Sequence, residues 1–381
     1  SSKMQTANRL KEVQEYYFSA KLREIRALEK EGKEVLNLGI GSPDLLPPNQ
    51  VIEQLKMGSD LQGANQYQSY QGLPAFREAI AEFSKNRLNI VLNPEEEILP
   101  LMGSKEGIAH ISLAYLNKGD QVLIPELGYP TYTSVTKMVE AEPIYYPLVE
   151  QDDWCPDWKF FDQLDYSKIK LLYLNYPHMP TGAKGSQEIL EKFVEIAIKN
   201  KLLLIHDNPY SFILNDEPLS IFSVEGSKTC ALELNSLSKS FNMSGWRVGW
   251  LSGASENIKN VLRIKSNLDS GMYQPIQRAA IVALQQDERW FEQLNLTYRT
   301  RRNAVFRLLD KLNCTYRKAQ SGLFVWAQAP VMDVDVLIDD LLVNKHIFIT
   351  PGHIFGAKGR RYLRVSLCAP TEVFEQAILR L

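Results

Sequence analysis

The stretch from Lys168 to Tyr210 reads KIKLLYLNYPHMPTGAKGSQEILEKFVEIAIKNKLLLIHDNPY. It opens on one apolar run, KIKLLYLNYP, and closes on another, KLLLIHDNPY. Both runs are short and end on Asn, Asp or Pro. Runs that are apolar at nearly every position belong to strands covered on both faces, as in a parallel sheet. Between them, SQEILEKFVEIAIKN carries apolar residues at Ile189, Phe193 and Ile196–Ala197, the spacing of one helix face. Ser186 suits the N-cap, and Glu188 sits in the first turn, where a carboxylate meets the positive end of the helix dipole. Strand, helix and strand in this order form the repeating unit of an α/β sheet.

Five more runs of the same kind flank this unit: EEEILPLMG, DQVLIPE, EPIYYPL, TCALELNS and RVGWLSG. Helical stretches separate them from Asn49 to about Gly253. The pattern predicts an α/β large domain, residues 47–275, built on a mostly parallel seven-stranded sheet. Its ligand site is expected at the carboxyl ends of the strands. After Gly271 the pattern changes. PIQRAAIVALQQDERWFEQLNLTYRTRRNAVFRLLDKL predicts one or two long helices. LFVWAQAP, HIFITPG and RYLRVSLCAP then predict strands, and a short helix closes the chain. Residues 1–46 read as a helix and an extended segment, VLNLGIGSPD. With residues 276–381 they are expected to form a smaller α+β domain.

Composition narrows the function classes. The 381 residues carry 43 Lys+Arg against 45 Asp+Glu, a net charge of −2, which argues against nucleic-acid binding by bulk charge. No apolar run reaches the ~18 residues of a membrane span, and the N-terminal segment lacks a signal-peptide core. A cytoplasmic protein is expected. Cys155, Cys230, Cys314 and Cys368 form no CxxC pair, and no two of the five histidines lie three to five residues apart. A disulfide framework and a metal site are therefore not expected. Chemistry here calls for an organic cofactor or bare side chains.

The chemistry-bearing residues fall at strand ends. One strand ends at Asp207 and Tyr210, another runs through Ser236 and Ser238 to Lys239, and Arg247 follows. An earlier strand ends at Gly103–Ser104–Lys105 and opens a helix. A Gly/Ser turn at a helix N-terminus offers free N–H groups to a phosphate, and Arg247 adds a bidentate cation. Asp207 can pair with a ring cation, and a desolvated Lys239 can act as a nucleophile. Each residue alone has a plainer reading: a turn cap, a surface charge, a tight turn. Together they describe a site for pyridoxal 5'-phosphate, whose phosphate, ring nitrogen and aldehyde need these partners.

SLSKSFNMSGWRVGW resembles the lysine signature of class I/II aminotransferases, the fold-type-I pyridoxal-phosphate enzymes. YQSYQGLPAFREAIAEF, MGSKEGIAH, PELGYPTY, HDNPY and YLRVS resemble further segments of that family, and the likeness covers essentially the whole chain. GSKEGIAHISLA, ELNSLSKSFNMSGWRVG and KSNLDSGMYQPIQ look closest to the LL-diaminopimelate aminotransferase branch. The resemblance implies that Lys239 carries the cofactor covalently and then moves the substrate's α-proton. Asp207 would hold the ring nitrogen protonated, Tyr210 would bond the ring's phenolic oxygen, and Tyr129 would stack on the ring. Asn175 would contact cofactor and substrate. Gly103, the Ser104 and Lys105 amides, Ser236, Ser238 and Arg247 would hold the phosphate. Tyr67 would reach the phosphate of a neighbouring subunit, implying a homodimer with shared sites. Arg364 would clamp the substrate α-carboxylate, and Gly41 would line that pocket.

The resemblance implies an aminotransferase that moves an α-amino group between an amino acid and a 2-oxo acid by a ping-pong route. LL-diaminopimelate or a related amino acid would be the substrate. A C–S lyase on the same fold is the alternative, since the same residues serve both. One position departs from the family. The Asn that usually precedes Pro-Thr-Gly, a donor to the ring's phenolic oxygen, is Met179 here, which cannot donate. Tolerated drift, with Tyr210 keeping one donor on that oxygen, is set against altered chemistry or substrate, and drift is preferred.

Overall fold

The computed structural model describes residues 3–381. Residues 1 and 2, part of the expected small domain, lie outside the described residues. All seven expected strands form: β1 (Ile98–Leu101), β2 (Gln121–Pro125), β3 (Glu142–Tyr146), β4 (Ile169–Asn175), β5 (Leu203–Asp207), β6 (Ala231–Ser236) and β7 (Gly249–Gly253). They lie in the order β1-β7-β6-β5-β4-β2-β3. β7 runs antiparallel to both its neighbours, and every other pair is parallel.

Helices cover both faces, which explains the unbroken apolar runs. Along β4, Leu171 and Tyr173 face one core, shared with Ile108 and Ile111 of α1 (Ser104–Tyr115). Leu172 and Leu174 face the other, shared with Leu190 and Phe193 of a later helix, Gln187–Asn200. That helix is capped as its sequence predicts, the Ser186 hydroxyl oxygen accepting the Ile189 N–H at 3.2 Å. The helix Pro130–Met138, α2, follows β2.

The long helical stretch beyond Gly271 is two helices, α3 (Gln274–Leu284) and α4 (Glu288–Lys311). Asp287 breaks it by capping α4, accepting the Arg289 N–H. Four strands then build a second sheet: Thr315–Tyr316, Phe324–Gln328, Thr350–Pro351 and Tyr362–Ser366. The run HIFITPG is divided. Its Thr350–Pro351 joins this sheet, while Ile347–Phe348 pairs in parallel with Leu36–Asn37 and so anchors the N-terminal segment. One helix, Val334–Asp340, falls where the sequence predicts no element. Its apolar face is short, and the acidic residues around Val334 and Ile338 mask the period.

Arg301 of α4 joins the parts. Its guanidinium bonds both carboxylate oxygens of Asp44, at 2.7 and 2.9 Å, and the Leu367 carbonyl at 3.0 Å. One apolar core runs on from the helix Gln187–Asn200 to Val325 and Leu363 of the second sheet. Among the described residues, no helix is long and apolar enough to cross a membrane.

Gly249 tests how tightly β7 is held. A Cβ there would lie 2.6 Å from the Asn235 carbonyl and 3.0 Å from the Ser104 nitrogen, both backbone atoms with little freedom to retreat. Gly249→Ala should cost about 1–3 kcal/mol, read as a lower thermal unfolding midpoint. An unchanged midpoint would show that the ladder gives way freely.

Candidate active site

The carboxyl ends of β4, β5 and β6 and the start of α1 surround a cavity of about 190 Å³. Its walls include Ser104, Lys105, Tyr129, Asn175, Asp207, Tyr210, Ser236, Ser238, Lys239 and Arg247. The sequence-predicted residues in these walls thus converge from six separate segments. A roomier cleft of about 300 Å³ lies elsewhere, beside Trp154 and Arg317, away from the lysine.

One end of the cavity is built for a phosphate. Gly103, with φ 86°, precedes Ser104 and Lys105, whose N–H groups begin α1 without helical partners. A Cβ on Gly103 would lie 2.3 Å from Nη2 of Arg247, so the guanidinium sits against this turn. Arg247 Nη1 donates to the Ser244 carbonyl at 2.8 Å and to the Ser238 hydroxyl oxygen at 3.5 Å. The Ser236 hydroxyl oxygen accepts the Ser238 N–H at 3.0 Å, which closes the facing turn. Helix N–H groups, two serine hydroxyls and a guanidinium are a donor set that fits a dianion.

Asp207 is buried at the end of β5. Burial pushes its carboxyl up to about 6, against the Tyr132 hydroxyl and the charge on His206, which pull it down. Tyr132, from α2, donates to Asp207 Oδ2 and stacks on Tyr173 at 4.6 Å. The sequence gives Tyr129 a role and misses Tyr132. No local signal marks it, because its reach to Asp207 depends on where α2 lands against β5. Tyr129 meets Tyr132 edge-on at 5.7 Å. Burial raises the Tyr210 phenol far above its ordinary range, so it stays a hydroxyl, although Arg364 opposes the shift.

Lys239 points its amine at the Gly41 carbonyl, 2.7 Å away. Burial lowers its pKa, and the Arg364 and Arg247 charges push the same way. Arg364, on the strand Tyr362–Ser366, is packed among the rings of Phe324, Phe355 and Phe18, its guanidinium carbon 3.7, 4.6 and 5.7 Å from their centres. Nη2 donates to the Gly39 carbonyl at 2.8 Å and Nη1 to Met179 Sδ at 3.4 Å, while Nε has no partner. Burial brings its pKa down to about 10, which leaves it a cation at neutral pH. A buried cation with an idle donor suits a carboxylate.

The pattern of the family described as "Aminotransferase class I and II" matches residues 33–381. The chain belongs to this family. It is 36% identical over 380 residues to the LL-diaminopimelate aminotransferase of Oleidesulfovibrio alaskensis, covering 98% of each chain. It is also 36% identical to that of Halothermothrix orenii, covering 99% of this chain and 98% of the relative. Among solved structures, substrate-bound BacF from Bacillus subtilis superposes with a TM-score of 0.94 at 32% identity, covering 99% of this chain and 97% of BacF. The chain is an aminotransferase of the LL-diaminopimelate branch, and its fold is that of the fold-type-I enzymes.

Three of the expected positions of this aminotransferase make contacts that the sequence does not show, or lie apart from the cavity. Asn175 lines the cavity, and half of its amide braces the backbone: Nδ2 donates to the Asp207 carbonyl and Oδ1 accepts the Met179 N–H, both at 2.8 Å, which leaves one N–H and one lone pair. It positions its neighbours within this chain. Tyr67 is 91% exposed and lines no part of this chain's cavity. Met179 does line it, and its sulfur accepts from Arg364. His178, the adjacent donor, is occupied. Nε2 lies 2.8 Å from the Leu127 carbonyl and Nδ1 2.6 Å from the Thr181 hydroxyl, and burial lowers its pKa to about 4.

One grouping behind α1 was invisible in the sequence. Glu106, His110 and Asp269 bring metal-ligand atoms together, but the Lys265 ammonium lies among them, paired with Asp269 and 3.5 Å from Glu106. The lysine supplies the positive charge there.

Asp207 sets a pH dependence. An ordinary aspartate ionises near 4, but this one does so near 6 in the fold, so the folded state holds its proton longer. Stability at this site is therefore full below pH ~4 and falls as pH rises through 6. Asp207→Asn removes the titration. The cofactor-free variant should gain on wild type by on the order of 2–3 kcal/mol between pH 4 and 6.5, then hold level. A constant difference across that window would show a well-solvated carboxylate.

Proposed function

We propose that this aminotransferase binds pyridoxal 5'-phosphate in the cavity around Lys239 and works in the cytoplasm as a homodimer with shared sites. It would move the α-amino group of an amino acid to a 2-oxo acid in two ping-pong stages. The observation that carries this reading is the Lys239 amine, enclosed with one carboxylate, Asp207, and two arginines, Arg247 and Arg364. The cofactor would supply an aldehyde that takes up the amino group and a ring that takes up the charge left on the α-carbon. The N-terminus of α1, Ser236, Ser238 and Arg247 would hold its phosphate. The Asp207 carboxylate would accept the ring N–H, and the Tyr210 hydroxyl would donate to the phenolic oxygen.

Arg364 would grip the substrate α-carboxylate. The rings of Phe324 and Phe355 keep water from that guanidinium, which strengthens the contact. Lys239 Nζ, with its pKa lowered, would take the proton that the α-carbon releases. Relatives named for LL-diaminopimelate support that amino acid, or a related one, as substrate. No observation favours a C–S lyase. The exposed Tyr67 is available to a second subunit, which supports the dimer, and four free thiols suit a reducing compartment. The two sheets support a large domain of residues 47–275 and a small one formed by 1–46 and 276–381.

The lysine is the decisive test. Protein loaded with cofactor should be yellow and should yield pyridoxamine phosphate when given an amino donor without acceptor. Lys239→Ala should lose the covalent adduct and nearly all turnover. An adduct mapped to another lysine would overturn the assignment.

Met179 gives a second test. With His178 committed to Leu127 and Thr181, the phenolic oxygen has Tyr210 as its donor from this chain, and Met179→Asn would add one. A hydrogen bond to a charged group is worth roughly 1.5–3 kcal/mol, or about one to two pKa units. That donor stabilises the anionic oxygen, so the yellow colour should be lost at a pH lower by that amount. Equal titration of the two proteins would show the position to be silent.

A further inference from the structure

His206 and Glu233 stand opposite each other on β5 and β6, and both side chains are wholly buried. His206 Nδ1 lies 2.9 Å from Glu233 Oε2, and Nε2 lies 3.1 Å from the Tyr176 carbonyl oxygen. Both neighbours are acceptors. The same Glu233 oxygen also accepts the Ser220 hydroxyl at 2.9 Å and the Ile221 N–H at 2.8 Å. A neutral imidazole has one N–H and one bare nitrogen, so one of its two contacts would set lone pair against lone pair. A proton on Glu233 Oε2 would relieve that clash only by making a hydroxyl oxygen, a poor acceptor, take two donors. Two N–H groups on His206 turn both contacts into hydrogen bonds and give the buried carboxylate its counter-charge.

We propose that His206 is a positioning residue of this aminotransferase: it carries a proton on each ring nitrogen against Glu233, and the positive charge it brings one residue from Asp207 keeps that carboxylate ionised for the cofactor's ring nitrogen. Strand alternation puts the two side chains on opposite faces of β5, so His206 touches neither cofactor nor substrate and acts through its field. His206 and Glu233 are both wholly buried, and away from bulk solvent one charge is felt across a strand. The charge on His206 opposes the burial that raises the Asp207 carboxyl, alongside the Tyr132 hydroxyl. The other ionisable groups coupled to Asp207 are tyrosines, Tyr129, Tyr132, Tyr173 and Tyr210, all pushed toward the neutral phenol. The proposal rests on Asp207 meeting the ring nitrogen.

The first measurement reads the protons. ¹⁵N NMR of protein labelled only at its five histidines shows which ring nitrogens are protonated, and His206→Gln identifies the signal by its loss. At pH 8, with or without cofactor, both His206 nitrogens should be protonated. A bare nitrogen overturns the proposal. The second measurement is the affinity of cofactor-free protein for pyridoxal phosphate as a function of pH. The acid limb, where protonation of Asp207 weakens binding, should move up by about one pH unit in His206→Gln, a tenfold loss of affinity within that limb. Where that variant does not fold, Glu233→Gln serves, since it removes the carboxylate that holds the second proton. A merely structural role would lower affinity equally at every pH, and an unmoved limb overturns the proposal. Asp207→Asn should abolish the limb. If it does not, the reading of Asp207 fails, while the protons on His206 are judged by NMR alone.

Discussion

A carboxylate buried at the end of a parallel strand is the constraint around which this molecule is arranged. Asp207 is 7% exposed, and a charge so placed is costly unless its surroundings supply donors and counter-charge. The register of β4 against β5 sets Asn175 opposite it, and the Asn175 amide fixes its carbonyl. The helix after β2 delivers Tyr132 to its oxygen. These supports come from separate segments, so the sheet order, with β4 and β6 flanking β5, is what allows the group to exist. A carboxyl held near 6 is also poised, because a cationic ring nitrogen arriving beside it would draw it fully into its ionised form.

The substrate side is held by a different device. Arg301 ties Asp44 and the Leu367 carbonyl to α4, which fixes both the segment carrying Gly39 and Gly41 and the exit of the strand carrying Arg364. The Gly39 carbonyl accepts from Arg364 and from the Thr350 hydroxyl, while the Gly41 carbonyl accepts from Lys239. Two backbone oxygens, two residues apart on one segment, thus hold both the amine and the guanidinium. Glycine is required there because a Cβ at Gly41 would lie 2.3 Å from the Phe324 ring, and that ring backs Arg364.

Much of this was legible in the sequence, for physical reasons. Strands sandwiched between helices must be apolar at almost every position, so all seven announced themselves, and strand ends had to carry the chemistry. The Ser186 cap was readable because N-capping is local. What stayed hidden depends on distance in space. Nothing in the run PELGYPTY says that Tyr132 turns inward to Asp207, since that follows from where α2 lands. Asn175 resembles a ligand-binding residue because its type and place fit, but that it also braces the Asp207 carbonyl and the Met179 N–H follows from backbone that meets it only in the fold. The helix Val334–Asp340 was missed because two buried residues, Val334 and Ile338, make too short a stripe to declare a period.

Charge balance links these parts into one argument about binding. The walls of the cavity and its margin hold four cationic side chains, Lys105, Lys239, Arg247 and Arg364, against one carboxylate. Burial lowers the pKa of both Lys239 and Arg364, and for Lys239 the charges of Arg364 and Arg247 push the same way. Such a site is strained by excess positive charge and is relieved by anions. A phosphate at the α1 turn and a carboxylate at Arg364 supply that relief, each at its own end. The ligand that binds best is therefore anionic at both extremities and can accept a neutral amine between them. Fixing the two ends separately leaves the middle free for Lys239, so the same residues that bind the ligands also aim the reacting atoms.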